Sequence, residues 1–127
     1  MYRSLSTLQD LDHRAWQAVV YKRFVLGQPE TLRLRLIGFP GAIAIQHPGA
    51  LEIDTKNNRL LAPDVTAPEF PIAHVGEYDL KTTIASLDTD SALTLVLPIQ
   101  NGVVTIDVPA KTLQEWWRVA SWQPQTP

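Results

Sequence analysis

The sequence predicts a mainly β fold, a β-rich α+β domain whose antiparallel strands form a meander closed as a barrel or folded as a sandwich. Three observations carry this. Apolar and polar residues alternate over most of the chain, the two-residue period of a half-buried strand. Turn signals built on Gly, Pro and Asn recur at short intervals between those stretches. A helical period follows the last strand and reads as a closing helix against the sheet.

Taken in order, Tyr2 to Leu8 reads as a first strand and Gln9 to Arg14 as a polar turn. Ala15 to Val25 reads as a long strand, with Trp16, Ala18, Val20 and Phe24 on one face and Gln17, Val19, Tyr21 and Arg23 on the other. After a turn at Gly27-Gln28-Pro29-Glu30, Leu32, Leu34 and Leu36 alternate with Arg33 and Arg35, the cleanest half-buried pattern in the chain. Gly38-Phe39-Pro40-Gly41 breaks it. Ala42 to Gln46 resumes with Ile43 and Ile45 on one face, and His47-Pro48-Gly49 turns the chain. Leu51 and Ile53 carry the next strand, which Lys56-Asn57-Asn58 turns toward Arg59-Leu60-Leu61. Ala62 to Glu77 contains Pro63, Pro68 and Pro71 and reads as a surface strap pinned by Phe70 and Ile72. Asp79 is placed to cap a short helix near 80–88, with Leu80, Ile84 and Leu87 along one side.

The stretch from Ser91 to Trp122 organises the rest. Leu93, Leu95 and Leu97 share a face, as do Val104, Ile106 and Val108. Asn101-Gly102 signals a hairpin between them. A two-residue loop at Asn101-Gly102 pairs Leu97 with Ile106, whereas a four-residue loop from Ile99 to Gly102 pairs Leu97 with Val104 and makes Pro98 a closing residue. Both registers keep the same face apolar. Pro109 opens a helix near 110–121, where Leu113, Trp116, Trp117 and Ala120 form one stripe. Residues 1–122 read as one domain and 123–127 as a frayed polar tail.

Composition narrows the function classes. The chain has 127 residues, 45% hydrophobic and 19% charged, which suits a globular core. A net charge of −2 argues against general nucleic-acid binding. With no cysteine, disulfides, Cys-ligated zinc, iron–sulfur clusters and thiol catalysis are excluded together. No apolar run is long enough for a transmembrane helix, and Tyr2-Arg3-Ser4 leads into strand-like sequence without a signal peptide.

No catalytic, cofactor or metal motif is present. His13 follows Asp10-Leu11-Asp12, a turn with solvated acids that lacks the remaining oxygens of a calcium loop. His47 reads as a turn residue. His74 is the histidine to test first for chemistry, although without an orienting acid and a nucleophile together there is no triad argument. The candidate partner-binding residues are Tyr21, Arg23, Arg33 and Arg35, which share an outer face if their strands pair with matched apolar faces. Such a face fits an acidic protein or a lipid headgroup. Trp117 and Trp122 are candidate anchors, set against core packing of Trp116 and Trp117.

Four pieces of sequence carry a resemblance: Trp16-Gln17 through Tyr21-Lys22-Arg23, Leu34-Arg35-Leu36-Ile37-Gly38-Phe39-Pro40-Gly41, Val75-Gly76-Glu77-Tyr78-Asp79-Leu80-Lys81, and Val108-Pro109 with Glu115-Trp116. Together they resemble a small cyanobacterial and chloroplast family of unknown function whose mature members lie on the lumenal side of the thylakoid. The resemblance implies an auxiliary protein near a photosynthetic membrane, in the thylakoid lumen or on the periplasmic side, and supplies no catalytic residue. The first expectation is therefore a non-enzymatic binding or assembly module. It would dock on a protein partner such as a membrane-complex subunit, with peripheral membrane contact and no bound cofactor. The second is a lipid or pigment carrier with a cavity inside a barrel. The third is an enzyme, which would hold His74 or His13 in a cleft beside a carboxylate.

Overall fold

Alternation sets the strands, and tight turns set their order. The computed structural model describes residues 2–68, 72–87 and 91–124. Within these lie eight strands: β1 (Tyr2–Gln9), β2 (Ala15–Arg23), β3 (Thr31–Ile37), β4 (Leu51–Asp54), β5 (Arg59–Ala62), β6 (Val75–Asp79), β7 (Leu93–Ile99) and β8 (Gly102–Val108). One α-helix follows, α1 (Ala110–Ser121). The expected Phe70 pin, the end of the expected 80–88 helix at Asp88 and the last three residues of the polar tail lie outside the described residues.

The strands form two four-stranded antiparallel sheets, ordered β1-β2-β3-β6 and β5-β4-β7-β8. They pack as a sandwich-like fold and not as a closed barrel. The sheets are bridged at two corners. Leu11 N donates to Thr105 O at 3.0 Å where β1 leaves toward β8. At the other corner the chain leaves β5 at Pro63 and lies along the outer edge of β6. There Val65 N donates to Glu77 O (2.9 Å) and Asp79 N to Pro63 O (2.9 Å). A simple meander is therefore corrected: β4 and β5 lie in the second sheet, and the strap expected over Ala62 to Glu77 is divided, with Pro63 to Val65 lying along the edge of β6 and Val75 to Glu77 belonging to β6 itself.

Between the sheets lie Trp16, Ala18, Val20, Leu32, Leu34 and Leu36 from the first sheet, and Leu51, Ile53, Leu93, Leu95, Leu97, Val104, Ile106 and Val108 from the second, all buried. Leu113, Trp116 and Val119 of α1 join this core. The β7–β8 register pairs Leu97 with Val104 and Leu95 with Ile106. Pro98 lies opposite Val103. Its carbonyl accepts from Gln46 N at 3.0 Å on the other edge of the strand. Because N and C=O of one residue point the same way in a strand, the missing N–H deprives β8 of nothing.

Several expectations are corrected locally. β2 ends at Arg23, so Phe24 leaves the core face and is exposed, while Lys22 takes the inward position and is buried. Ala42 to Gln46 is no regular strand: Ile43 and Ile45 are buried, but only Ile45 forms a bridge, to Ile99. The 80–88 helix shrinks to a 3-10 turn at Ile84–Ser86, with Asp79 ending β6. Asp79 Oδ1 accepts from Lys81 N (2.9 Å), a local turn contact. Thr82 and Thr83 disfavour a helix too short to nucleate. Leu80, Ile84 and Leu87 are buried as expected. Ile72 is exposed and does not pin the strap from inside. Trp116 is core, whereas Trp117 faces out. Asp10 is buried and not solvated.

Candidate functional site

Residues directly opposite in antiparallel strands share a face. Tyr21 pairs with Arg33 across β2 and β3, and Arg35 pairs with Glu77 across β3 and β6. Inward leucines at 32, 34 and 36 force Arg33 and Arg35 outward. The result is an open concavity of about 470 Å³ on the outer face of the first sheet. Tyr21, Arg23, Arg33, Arg35 and Glu77 line it, with Ile37, Ile72 and Val75 supplying apolar wall. The arginine-bearing strands therefore meet as the alternation predicts.

Glu77 sits at the centre. Arg35 Nε donates to Glu77 Oε1 at 2.6 Å, and Tyr21 Oη donates to Glu77 Oε2 at 3.0 Å. Arg33 Nη1 stands 3.6 Å from Oε2. The Arg35 guanidinium also lies 5.6 Å from the Tyr21 ring centroid, within range of a cation–π contact. Burial pushes the Tyr21 phenol above its ordinary value, and the charge and hydrogen bond of Glu77 add to this against the opposing Arg33. Tyr21 is thus a neutral donor. Burial alone would lower the Arg35 pKa, but pairing with Glu77 outweighs it and holds the guanidinium charged. Three guanidinium groups face one carboxylate, an excess of two positive charges in the concavity. Arg23 has no ion pair among the described residues. The arrangement can bind an anion, and Arg33 and Arg23 are the groups with donors to spare.

The two tryptophan candidates lie elsewhere. The inward-facing Lys22 reaches the end of α1, so the helix and its Trp117 and Trp122 are on the opposite side of the first sheet from the arginines. Trp117 is 41% exposed. The six candidates therefore divide into a four-residue site and a separate pair.

The histidines are arranged differently from expectation. His47, read as a turn residue, has Nδ1 2.6 Å from Asp64 Oδ2 and Nε2 3.3 Å from the Val75 carbonyl. Asp64 Oδ2 also accepts from Gly49 N (3.2 Å), and Oδ1 from Thr66 N (3.0 Å). Burial would raise the Asp64 pKa, but His47 and Thr66 outweigh it and hold the carboxyl below the usual range. This cluster ties the strap to the His47 turn. His13 borders a shallow concavity with Asp10 and Asp107. Asp10 is already committed: it accepts from Trp16 Nε1 (3.0 Å), Arg14 N (2.9 Å) and Asp12 N (2.9 Å). His74 contributes its backbone carbonyl, which accepts from Gly38 N at 2.8 Å. The sequence reading missed Glu77 and the His47–Asp64 pair. Their partners come from strands and turns far apart in the chain, and no local pattern marks either.

The fold and site define a small sandwich-like β domain with a basic outer concavity. Residues 1–119 match the family described as Protein of unknown function (DUF3122), and the chain belongs to that family. No curated protein and no solved structure matches the chain. Among the described residues no helix is long and apolar enough to cross a membrane.

Proposed function

We propose that this domain is a non-enzymatic binding or assembly module that holds an acidic protein partner in the arginine concavity of its first sheet. The observation that carries the reading is the convergence of Arg23, Arg33 and Arg35 in one concavity that is lined by the single carboxylate of Glu77 and open to solvent. A partner carboxylate can take the donors that Glu77 leaves over, and the excess charge steers it in. The setting proposed for it is the lumenal or periplasmic side of a photosynthetic membrane, with a membrane-complex subunit as partner. That setting rests on the sequence resemblance to a cyanobacterial and chloroplast family.

A second reading, a small-molecule carrier, is favoured by the apolar wall of Ile37, Ile72 and Val75 beside the arginines. The ligand would lie in this open concavity, since the space between the sheets is filled by side chains.

The test is affinity capture from photosynthetic membrane extract at low and high salt, comparing the wild type with Arg33→Glu/Arg35→Glu. A membrane-complex subunit held by the wild type at low salt, released at high salt and absent with the variant supports the reading. Equal recovery by the variant removes the arginine face from it. A lipid or pigment recovered without a protein moves the carrier reading to first place.

A further inference from the structure

The β2–β3 hairpin ends in Phe24-Val25-Leu26, three apolar residues in succession at a turn. Phe24 is 39% exposed, Val25 45% and Leu26 102%. The turn itself is well formed. Gln28 N donates to Val25 O at 3.0 Å, and Gly27 takes φ +79°, the positive angle that glycine allows. Leu26 therefore stands at the corner of an ordered turn, as open to water as in an extended peptide. Turn corners are ordinarily polar. Isolated exposed apolar residues need no explanation, but a run of three on a protruding tip does.

The surroundings of the tip identify its partner. The Phe24 ring lies 5.7 Å from the Trp122 ring. Lys22 Nζ donates to the carbonyls of Ala120 (2.7 Å) and Trp122 (2.8 Å), fixing the hairpin to the end of α1. Arg118 lies in the last turn of that helix. Arg23 precedes the tip, and Lys81 Nζ donates to Glu30 O (2.9 Å) on the returning arm. Two acids lie nearby: Glu30 stands 3.5 Å from the buried Lys22 ammonium, and Asp79 Oδ1 accepts from Lys81 N at 2.9 Å. The result is a convex apolar point with aromatic rings behind it and cations around it. A protein would need a matching pocket for such a point, whereas a bilayer surface has no shape to match. Aromatic rings settle at headgroup level, cations meet anionic headgroups, and a short apolar tip enters the boundary below.

We propose that this end of the molecule docks on a lipid bilayer bearing anionic headgroups, with Val25 and Leu26 entering the headgroup–acyl boundary, Phe24 and Trp122 lying at the headgroups, and Arg23, Lys81 and Arg118 facing the lipid phosphates. The surface adjoins the arginine concavity at Arg23, which borders both, and does not depend on the reading given for the concavity.

The test is flotation with vesicles of phosphatidylcholine alone and of phosphatidylcholine mixed with phosphatidylglycerol, with melting measured in parallel. The wild type binds the mixed vesicles, less so as salt rises, and binds the neutral ones weakly. Leu26→Asp, and separately Val25→Asp, lowers the partition about tenfold or more, because a carboxylate replaces a side chain that gains by leaving water. Leu26→Asp leaves the melting temperature unchanged, since the leucine is fully exposed. Arg33→Gln/Arg35→Gln binds vesicles as the wild type does. Failure to bind mixed vesicles overturns the proposal, as does equal binding by both tip variants. Binding lost in the arginine variant but kept in Leu26→Asp assigns lipid contact to the concavity and overturns it as well.

Discussion

Asp10 is the residue on which the β1–β2 corner turns. Its buried carboxylate accepts from the Trp16 indole, from two backbone N–H groups and from Arg14 Nε at 3.2 Å. Burial would raise its pKa, but the Trp16 hydrogen bond, the Arg14 and Asp12 amides and the Arg14 charge outweigh this and hold it below the ordinary value. Asp64 is held low by its own donors in the same way. Both carboxyls thus have folded pKa values below the unfolded value of about 3.9. The stability they add is fully present above that pH and is lost as pH falls through the lower folded values. Urea midpoints should therefore be flat near neutrality and drop below about pH 4. Asp10→Asn should cost about 1–3 kcal/mol at neutral pH and make the acid drop shallower. An unchanged acid slope would show that Asp10 is not a source of it. A second residue-scale constraint is steric. A Cβ on Gly76 would come 2.5 Å from Tyr78 Oη, because the two side chains point the same way along β6. Gly76→Ala should cost about 1–3 kcal/mol by overpacking, read in the same urea experiment.

At the scale of elements, α1 is held by its apolar stripe and by its last turn. The final carbonyls of a helix lack intrahelical donors and carry partial negative charge. Lys22 meets both needs at once: its ammonium reaches the Ala120 and Trp122 carbonyls from the inner face of β2. This explains how a lysine is 2% exposed in a mainly apolar core. Lys22→Met keeps the stem and removes the donors. It should cost about 2–3 kcal/mol and loosen the helix end, seen as a weaker near-ultraviolet circular dichroism signal from the tryptophans. A variant as stable as the wild type would mean that the apolar stripe alone docks the helix.

For the whole molecule, the two outer faces differ in charge. Arg3, Arg23, Arg33 and Arg35 oppose Glu77 and Asp79 on the first sheet, an excess of two positive charges. Glu52, Asp54 and Asp107 oppose Arg59 on the second, an excess of two negative charges. A net charge of −2 thus conceals a molecule that can orient before contact. Both faces depend on one core. Leu95, 0% exposed, lies between Ile53 and Ile106. Leu95→Asp should cost more than about 4 kcal/mol and unfold the domain, which circular dichroism at room temperature would report. A folded variant with unchanged melting would contradict the face assignment.

The sequence by itself determined which residues face inward along β3, β7 and β8, the span of α1 and the grouping of Tyr21 with the arginines. Each follows from a local period, and a local period survives folding because one face must leave water. It could not determine which sheet each strand joins, since β4 and β5 satisfy their periods equally well in either, and β6, with glycine and tyrosine on its inner face, reads as the end of a strap. Nor could it find Glu77 among the arginines, the Asp64 carboxylate beside His47, or Lys22 beneath the helix end. Those groups are satisfied by partners far away in the chain, and only tertiary packing brings a buried charge and its donors together. The exposure of Phe24 and Leu26 was decided the same way. Phe24 and Val25 read as a continuing strand, but β2 ends at Arg23 and the hairpin turn places them and Leu26 in solvent.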